Sequence, residues 1–190
     1  KQIIEKIKRK GRNNKYDCIV GVSGGRDSTY TLYNAVKLGL RPLAVHFDNG
    51  WNSDIAVKNI QNATRILNVD LETIVANWDE FKDLQLSFLK ASVSDAEVPT
   101  DWVIFSILFK TAKKLGVKYI IQGHSFRTEG STPLSWTYMD GKYVKSIYKL
   151  FGNNKNISFP IMSMSSYFVY SILYRIKQVR ILYYLDYDET

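Results

Sequence analysis

Ser23-Gly24-Gly25-Arg26-Asp27-Ser28 follows the apolar run Cys18-Ile19-Val20-Gly21-Val22 and precedes a segment that reads as a helix. A strand, a glycine-rich turn and a helix start together make a pocket for an anion. Backbone N–H groups converge there, and the helix dipole adds about half a positive charge at its N-terminus. Gly24 and Gly25 permit backbone angles and close approaches that a Cβ would block. Arg26 adds a cation, and Ser23 and Ser28 add hydroxyl donors, a combination suited to pyrophosphate. The bland alternative is a polar turn that caps a helix, because Ser and Asp favour caps anywhere. Neither of two commoner phosphate loops is present: there is no G-x-x-x-x-G-K-[ST], and no G-x-G-x-x-G follows a candidate strand.

Outward from this loop, strands alternate with helices. Residues 17–22 read as a strand buried on both faces. A helix is expected over 29–38, with Gly39 placed to stop it, and a second strand over 43–47, ending at Asp48-Asn49-Gly50. Ala56, Ile60, Ala63 and Leu67 mark one apolar face of the next helix. Residues 71–75 read as a third strand. Phe81, Leu84 and Phe88 mark a helix, Ile104, Leu108, Ala112 and Leu115 another that Gly116 ends, and 118–122 a fourth strand. The order βαβαβααβ predicts an α/β fold, an open parallel sheet with helices on both faces. Ligands of such sheets sit outside the carboxyl ends of the strands. Ser23, Asp48-Asn49-Gly50, Asn77 and Gly123-His124 would then share one crevice.

The chain has 190 residues and a formal net charge of +8. One domain with a sizeable core is expected. Seven cations (Lys1, Lys6, Lys8, Arg9, Lys10, Arg12 and Lys15) against Glu5 put a net +6 in the first fifteen residues. That segment could touch RNA or an anionic membrane; the expected reading is a solvated helix packed by Ile3, Ile4 and Ile7. A single cysteine, Cys18, excludes an internal disulfide framework and a cysteine-rich zinc site, and its strand position predicts a buried, inert thiol. No signal peptide and no run of eighteen apolar residues is visible, so the cytoplasm is the expected compartment and no membrane span is expected. The start at Lys1, without Met, suggests a piece of something longer.

The expected organisation is a basic N-terminal helix over 1–16, a loop-bearing nucleotide domain over 17–125, and a lid and aromatic helical segment of the same domain over 126–190. Residues 126–156 read as a long loop region with one short helix near 143–151, and a stretch of that length is usually a lid or binding loop. The greasy segment 167–174 is expected to be a core or interface helix.

S-G-G-x-D-S directly after a first strand resembles the loop of the PP-loop ATP pyrophosphatases, which include NAD synthetase, GMP synthetase, asparagine synthetase and several tRNA-modifying enzymes. The resemblance implies an adenine nucleotide alpha hydrolase-like, Rossmann-like three-layer α/β/α fold and cleavage of ATP, with Mg²⁺, to AMP and pyrophosphate. It further implies that Ser23, Gly24, Gly25, Asp27 and Ser28 hold the pyrophosphate, while Phe47, Asp48 and Gly123 border the nucleotide. Asp27, Arg26, His124 and Arg127 are the implied catalytic groups, and Asp27 with Glu129 the implied Mg²⁺ ligands. Plainer roles stay open for several of them: Asp27 as a helix cap, Asp48 as a turn residue, His124 as an ordinary hydrogen-bonder. His46, inside a strand, is expected to pack or bond locally.

The segments YDCIVGVSGGRDSTYTLY (16–33), LRPLAVHFDNGWNSDIAVKNI (40–60), EVPTDW (97–102), IIQGHSFRTEG (120–130) and DGKYVKSI (140–147) together resemble the N-acetyl sugar amidotransferases of bacterial surface polysaccharide synthesis. That resemblance implies conversion of a nucleotide-linked or related acetamido sugar to an acetamidino sugar, using ATP and ammonia from a separate glutaminase subunit. It makes nucleic acid an unexpected partner. Asp101 belongs to a polar patch that could serve this chemistry or only the helix dipole, and relatives often carry His where this chain has Trp102. Two other readings stand beside it: a tRNA-modifying adenylase, suggested by the basic N-terminus, and a non-catalytic nucleotide-binding domain.

Overall fold

The computed structural model describes residues 2–123, 140–153 and 157–180. Its centre is a five-stranded, wholly parallel sheet in the order β3-β2-β1-β4-β5. The strands are β1 (Cys18–Gly21), β2 (Pro42–Asp48), β3 (Leu71–Val75), β4 (Tyr119–Gln122) and β5 (Lys177–Arg180). Seven α-helices are described: α1 (Gln2–Gly11), α2 (Arg26–Lys37), α3 (Asp54–Leu67), α4 (Trp78–Lys90), α5 (Val98–Leu115), α6 (Gly141–Phe151) and α7 (Met164–Phe168). A π-helical turn over Val169–Leu173 continues α7.

Period-two alternation sorts the strand side chains into two cores. Cys18, Val20, Val22, Ala44 and Ile121 meet Ile4 and Ile7 of α1, Leu32 and Ala35 of α2 and Ile60 of α3. Ile19, Leu43, Val45, Phe47 and Ile120 meet Phe81, Leu84 and Phe88 of α4, Val103, Ile107 and Phe109 of α5 and Val144 and Tyr148 of α6. The result is the expected three-layer α/β/α arrangement, with α1 joined to it by the isoleucine side read from the sequence.

Local chemistry sets the helix limits. Ser53 and Asn77 cap α3 and α4, each side chain accepting a first-turn N–H, and Asp140 does the same for α6. Gly116 ends α5 at φ +70°. Two differences from the sequence reading matter. Helix α2 begins at Arg26, not at Thr29, so half of the loop forms the first helical turn. β5 was not anticipated, because Lys-Gln-Val-Arg lacks the apolar run of a buried strand; it is recruited by pairing with β4 at the sheet edge. In the greasy 167–174 segment, Tyr167 and Tyr170 pack on the core, while Phe168, Ile172 and Leu173 are exposed.

Two acidic residues of α4 tie the chain after α6 to the fold. Buried Asp83 accepts from Tyr148 Oη (2.9 Å), Asn153 N (2.9 Å) and Asn153 Nδ2 (2.7 Å), fastening the end of α6. Glu80 takes hydrogen bonds from the backbone and hydroxyl of Ser158.

Candidate nucleotide site at the strand ends

β1 has β2 on one side and β4 on the other, so the chain changes direction across the sheet at β1. The crevice at such a switch point is where open α/β sheets bind ligands. Ser23–Ser28 occupies it. The loop is shaped from within: Ser23 N–H donates to Ser28 Oγ (3.2 Å), the two serine hydroxyls lie 3.2 Å apart, and Ser28 Oγ donates to Gly25 O (3.1 Å). Thr29 Oγ1 also donates to Gly25 O (2.9 Å).

Gly24 takes φ +77°, and a Cβ there would lie 2.3 Å from Ala56 O. Asn59 Nδ2 of α3 donates to Gly24 O (3.1 Å), so α3 braces the loop from the β2 side. On the other side, a Cβ at Gly123 would lie 2.9 Å from Ser28 Cα: the end of β4 packs directly on the first turn of α2. Gly25 is the N-cap of α2 and supplies no side-chain cap. The first N–H groups of α2 have no acceptor within the helix, and they face the crevice with the dipole behind them. This geometry fits a pyrophosphate.

The sequence-derived residues fall unevenly around this point. Asp27 lies in the first turn of α2 and is not its N-cap; Arg26 Nε donates to its Oδ1 (3.2 Å). An exposed guanidinium and a carboxylate thus stand together at the helix start, where the carboxylate can meet a phosphate-borne Mg²⁺, an ion usually bound through one or two carboxylates plus phosphates. Asp48 Oδ1 accepts from Gly50 N and Asn52 Nδ2 (3.0 Å each), so it holds the β2–α3 turn together. The Phe47 ring is buried, edge-on to Phe81 with centroids 5.4 Å apart, which leaves its backbone as the part that borders the crevice. Asp101 is exposed in the first turn of α5, and Trp102 is a core residue whose Nε1 donates to Met162 O (2.8 Å). His124, Arg127 and Glu129 lie outside the described residues. Among the described residues no group of three or more His, Cys, Asp or Glu could hold a metal ion.

Other residues emerge only in three dimensions. Trp51, 60% exposed, meets Trp78 edge-on at 4.9 Å and donates its Nε1 to Gln85 Oε1, while Gln85 Nε2 donates to Thr100 Oγ1 (3.2 Å). This oriented indole stands beyond the carboxyl ends of β2 and β3. A lone Trp after D-N-G carries no such signal in sequence. The basic segment goes elsewhere: Lys8 Nζ lies beside Gly39, after α2, and Lys15 pairs with Asp70 (2.8 Å), just before β3. Both are at the amino ends of the strands, opposite the loop. Cys18 is buried, and burial pushes its thiol well above the ordinary range, so it is held as an inert thiol. No described helix is long and apolar enough to cross a membrane.

Residues 17–165 match the family model of the queuosine biosynthesis protein QueC, which takes in every strand but β5. The chain belongs to the QueC family. This places its loop among those of the PP-loop ATP pyrophosphatases. An uncharacterized protein of Methanocaldococcus jannaschii is 34% identical over 124 residues, 65% of this QueC-family chain and 43% of that relative, so the chain spans less than half of the relative's length. Two solved structures share the fold. A predicted subunit of tRNA methyltransferase from M. jannaschii aligns over 90% of this chain and 71% of its own, with 14% identity and a TM-score of 0.50. A glutamine-dependent NAD⁺ synthetase from Acinetobacter baumannii, solved with ADP, aligns over 77% of this chain and 30% of its own, with 18% identity and a TM-score of 0.52.

Proposed function

We propose that this QueC-family chain is an ATP-dependent adenylating ligase, with a sugar acetamido group as acceptor and ammonia as nucleophile. The observation that carries the adenylation is the anion cradle at Ser23–Ser28, a helix start without a side-chain cap, closed by glycine against both α3 and β4. In the proposed reaction the acetamido oxygen attacks the α-phosphorus of ATP, and the α–β bond breaks with pyrophosphate leaving. Ammonia then adds to the activated carbon, AMP departs with the former amide oxygen, and an amidine remains. Splitting one hard substitution into two easier ones is the gain of covalent activation.

The protein's part is positioning and charge neutralisation. Ser23, Gly24, Gly25 and Ser28 cradle the departing pyrophosphate, Arg26 offsets its charge, and Asp27 orders Arg26 and receives Mg²⁺. His124, Arg127 and Glu129 are assigned to the acceptor side on the sequence resemblance alone. Cys18, as a buried thiol, has no assigned part in this reaction, and the separate glutaminase subunit that would supply ammonia is proposed on the sequence resemblance alone. A sugar acceptor is supported by the five motif segments and by the basic side chains standing at the far edge of the sheet.

A second reading, an adenylase for a modified nucleoside or tRNA, is favoured by the QueC match itself. Product analysis separates the two. The chain with Mg²⁺–ATP and ammonium should form AMP and pyrophosphate only when an acetamido sugar is added, and Asp27→Ala should abolish this. AMP formed with tRNA or a nucleobase, and not with any sugar, would transfer the assignment to the second reading. ADP and phosphate as products would sink both.

A further inference from the structure

The point where β1 leaves the sheet is held twice by β2. Val22 N–H donates to Val45 O (2.9 Å), an ordinary rung of the ladder. The carbonyl of the same residue is 2.9 Å from Nδ1 of His46. Both groups of Val22 are therefore tied to neighbouring residues of β2, one through backbone and one through a side chain. Ser23, next in the chain, opens the anion loop.

His46 lies between Val45 and Phe47, which face the α4–α5 layer, so its ring points to the other face with Ala44. It is 6% exposed. A carbonyl can only accept, so Nδ1 carries a proton. Among the described residues that buried Nε2 has no hydrogen-bond partner. An unsatisfied buried polar atom is uncommon and calls for a reason. Val or Leu at this position would fill the same layer without one. The contact that sets the imidazole apart from those apolar choices is the bond to Val22 O.

We propose that His46 is a positioning residue for the pyrophosphate loop: its Nδ1–H fixes the Val22 carbonyl and, through it, the direction in which Ser23 and Gly24 enter the cradle. The inference rests on the ATP-binding reading above. The Val22–Ser23 peptide is also held on its N–H side by Ser28 Oγ, and Gly24 O by Asn59; these restraints lie within the loop and α3, so the His46 bond is the side-chain contact that ties this peptide to β2. Misplacing a binding loop by a fraction of an ångström is enough to lose affinity without unfolding the sheet below it.

The test compares three side chains in the full chain. His46→Asn keeps a donor near the Nδ1 position, His46→Gln places its donor further out, and His46→Leu has none. Titration calorimetry with Mg²⁺–ATP, and separately with pyrophosphate, should show His46→Asn within about threefold of the native chain. His46→Leu and His46→Gln should bind both ligands about tenfold more weakly, a difference of about 1.4 kcal/mol. Long-range ¹H–¹⁵N correlation on the native chain, which needs no variant to fold, should show the Nδ1–H tautomer. ATP-like affinity in His46→Leu, no rescue by Asn, or an Nε2–H tautomer would each overturn the proposal. Failure of the native chain itself to bind ATP or pyrophosphate would instead refute the functional reading on which it rests.

Discussion

Gly24→Ala tests the loop most directly, because the structure states what the added methyl would meet. The new Cβ would lie 2.3 Å from Ala56 O and 2.8 Å from both Ala56 C and Cα, all backbone atoms that no rotamer change can move. Alanine at φ +77° also takes the left-handed conformation, which costs about 1–2 kcal/mol for a residue with a Cβ. Moving the first turn of α3 aside adds strain of about 1–3 kcal/mol. A total of about 2–5 kcal/mol is within the usual margin of a folded domain, so the variant should fold and melt roughly 4–20 °C lower. Because Asn59 of α3 holds Gly24 O, the same shift should weaken ATP binding by at least tenfold. Gly25→Ala is the internal control: at φ −77°, with Ser23 Oγ 3.4 Å from its Cβ position, it meets only ordinary contact. Its cost is that of a poorer N-cap, about 1 kcal/mol. Thermal denaturation and ATP titration of both variants decide the matter. Equal melting of Gly24→Ala and the native chain, or a larger stability loss in Gly25→Ala, would refute the reasoning.

Three further outcomes are expected. Asp83→Ala strands the buried Tyr148 Oη and removes the acceptor of two part-buried bonds from the exposed Asn153, so urea denaturation should show a loss of about 1–3 kcal/mol, with Asp83→Asn milder. Cys18, buried and with its thiol pushed up by desolvation, should resist an aromatic disulfide reagent at pH 8 until the chain is unfolded; prompt labelling of the native chain would contradict the buried strand. The Lys15–Asp70 pair titrates with a definite sign. Hydrogen bonds from Lys15 and Tyr16 lower the Asp70 pKa, so its contribution is present above the unfolded carboxylate range and is lost as pH falls through the lowered folded value. The melting difference between the native chain and Asp70→Asn should therefore shrink in acid. Both partners are exposed, so it should also fade in high salt; a difference that persists at low pH would assign Asp70 another role.

How far the site was legible follows from where its information resides. Ser23–Ser28 could be read as an anion loop because glycine spacing, strand and helix start are local. The start of α2 at Arg26 could not, since a Gly-Arg-Asp-Ser turn and a helical first turn differ only by what packs against them. Here Gly123 and Ala56 do the packing. Asp48 illustrates a reading left open in sequence and given a turn role by geometry, through its bonds to Gly50 and Asn52. Phe47, placed beside the nucleotide by the family resemblance, has its ring sent into the core by period-two alternation, which leaves its backbone toward the crevice. Trp51 carries no signal in sequence, and His46 reads there as a residue that packs or bonds locally; their partners, Gln85 and Val22, lie far along the chain and are visible only in the structure.

By itself the sequence determined the alternation of strands and helices, the parallel sheet that this order demands, and the carboxyl edge to which polar strand ends converge. Short-range rules suffice there: apolar period, caps and glycine stops are properties of neighbouring residues. Tertiary structure alone decided that β1 sits between β2 and β4, that a polar edge strand is recruited at β5, and that the basic N-terminal segment lies at the end of the sheet away from the loop. Those outcomes depend on pairing and packing between residues tens of positions apart, for which no single stretch of sequence carries the signal.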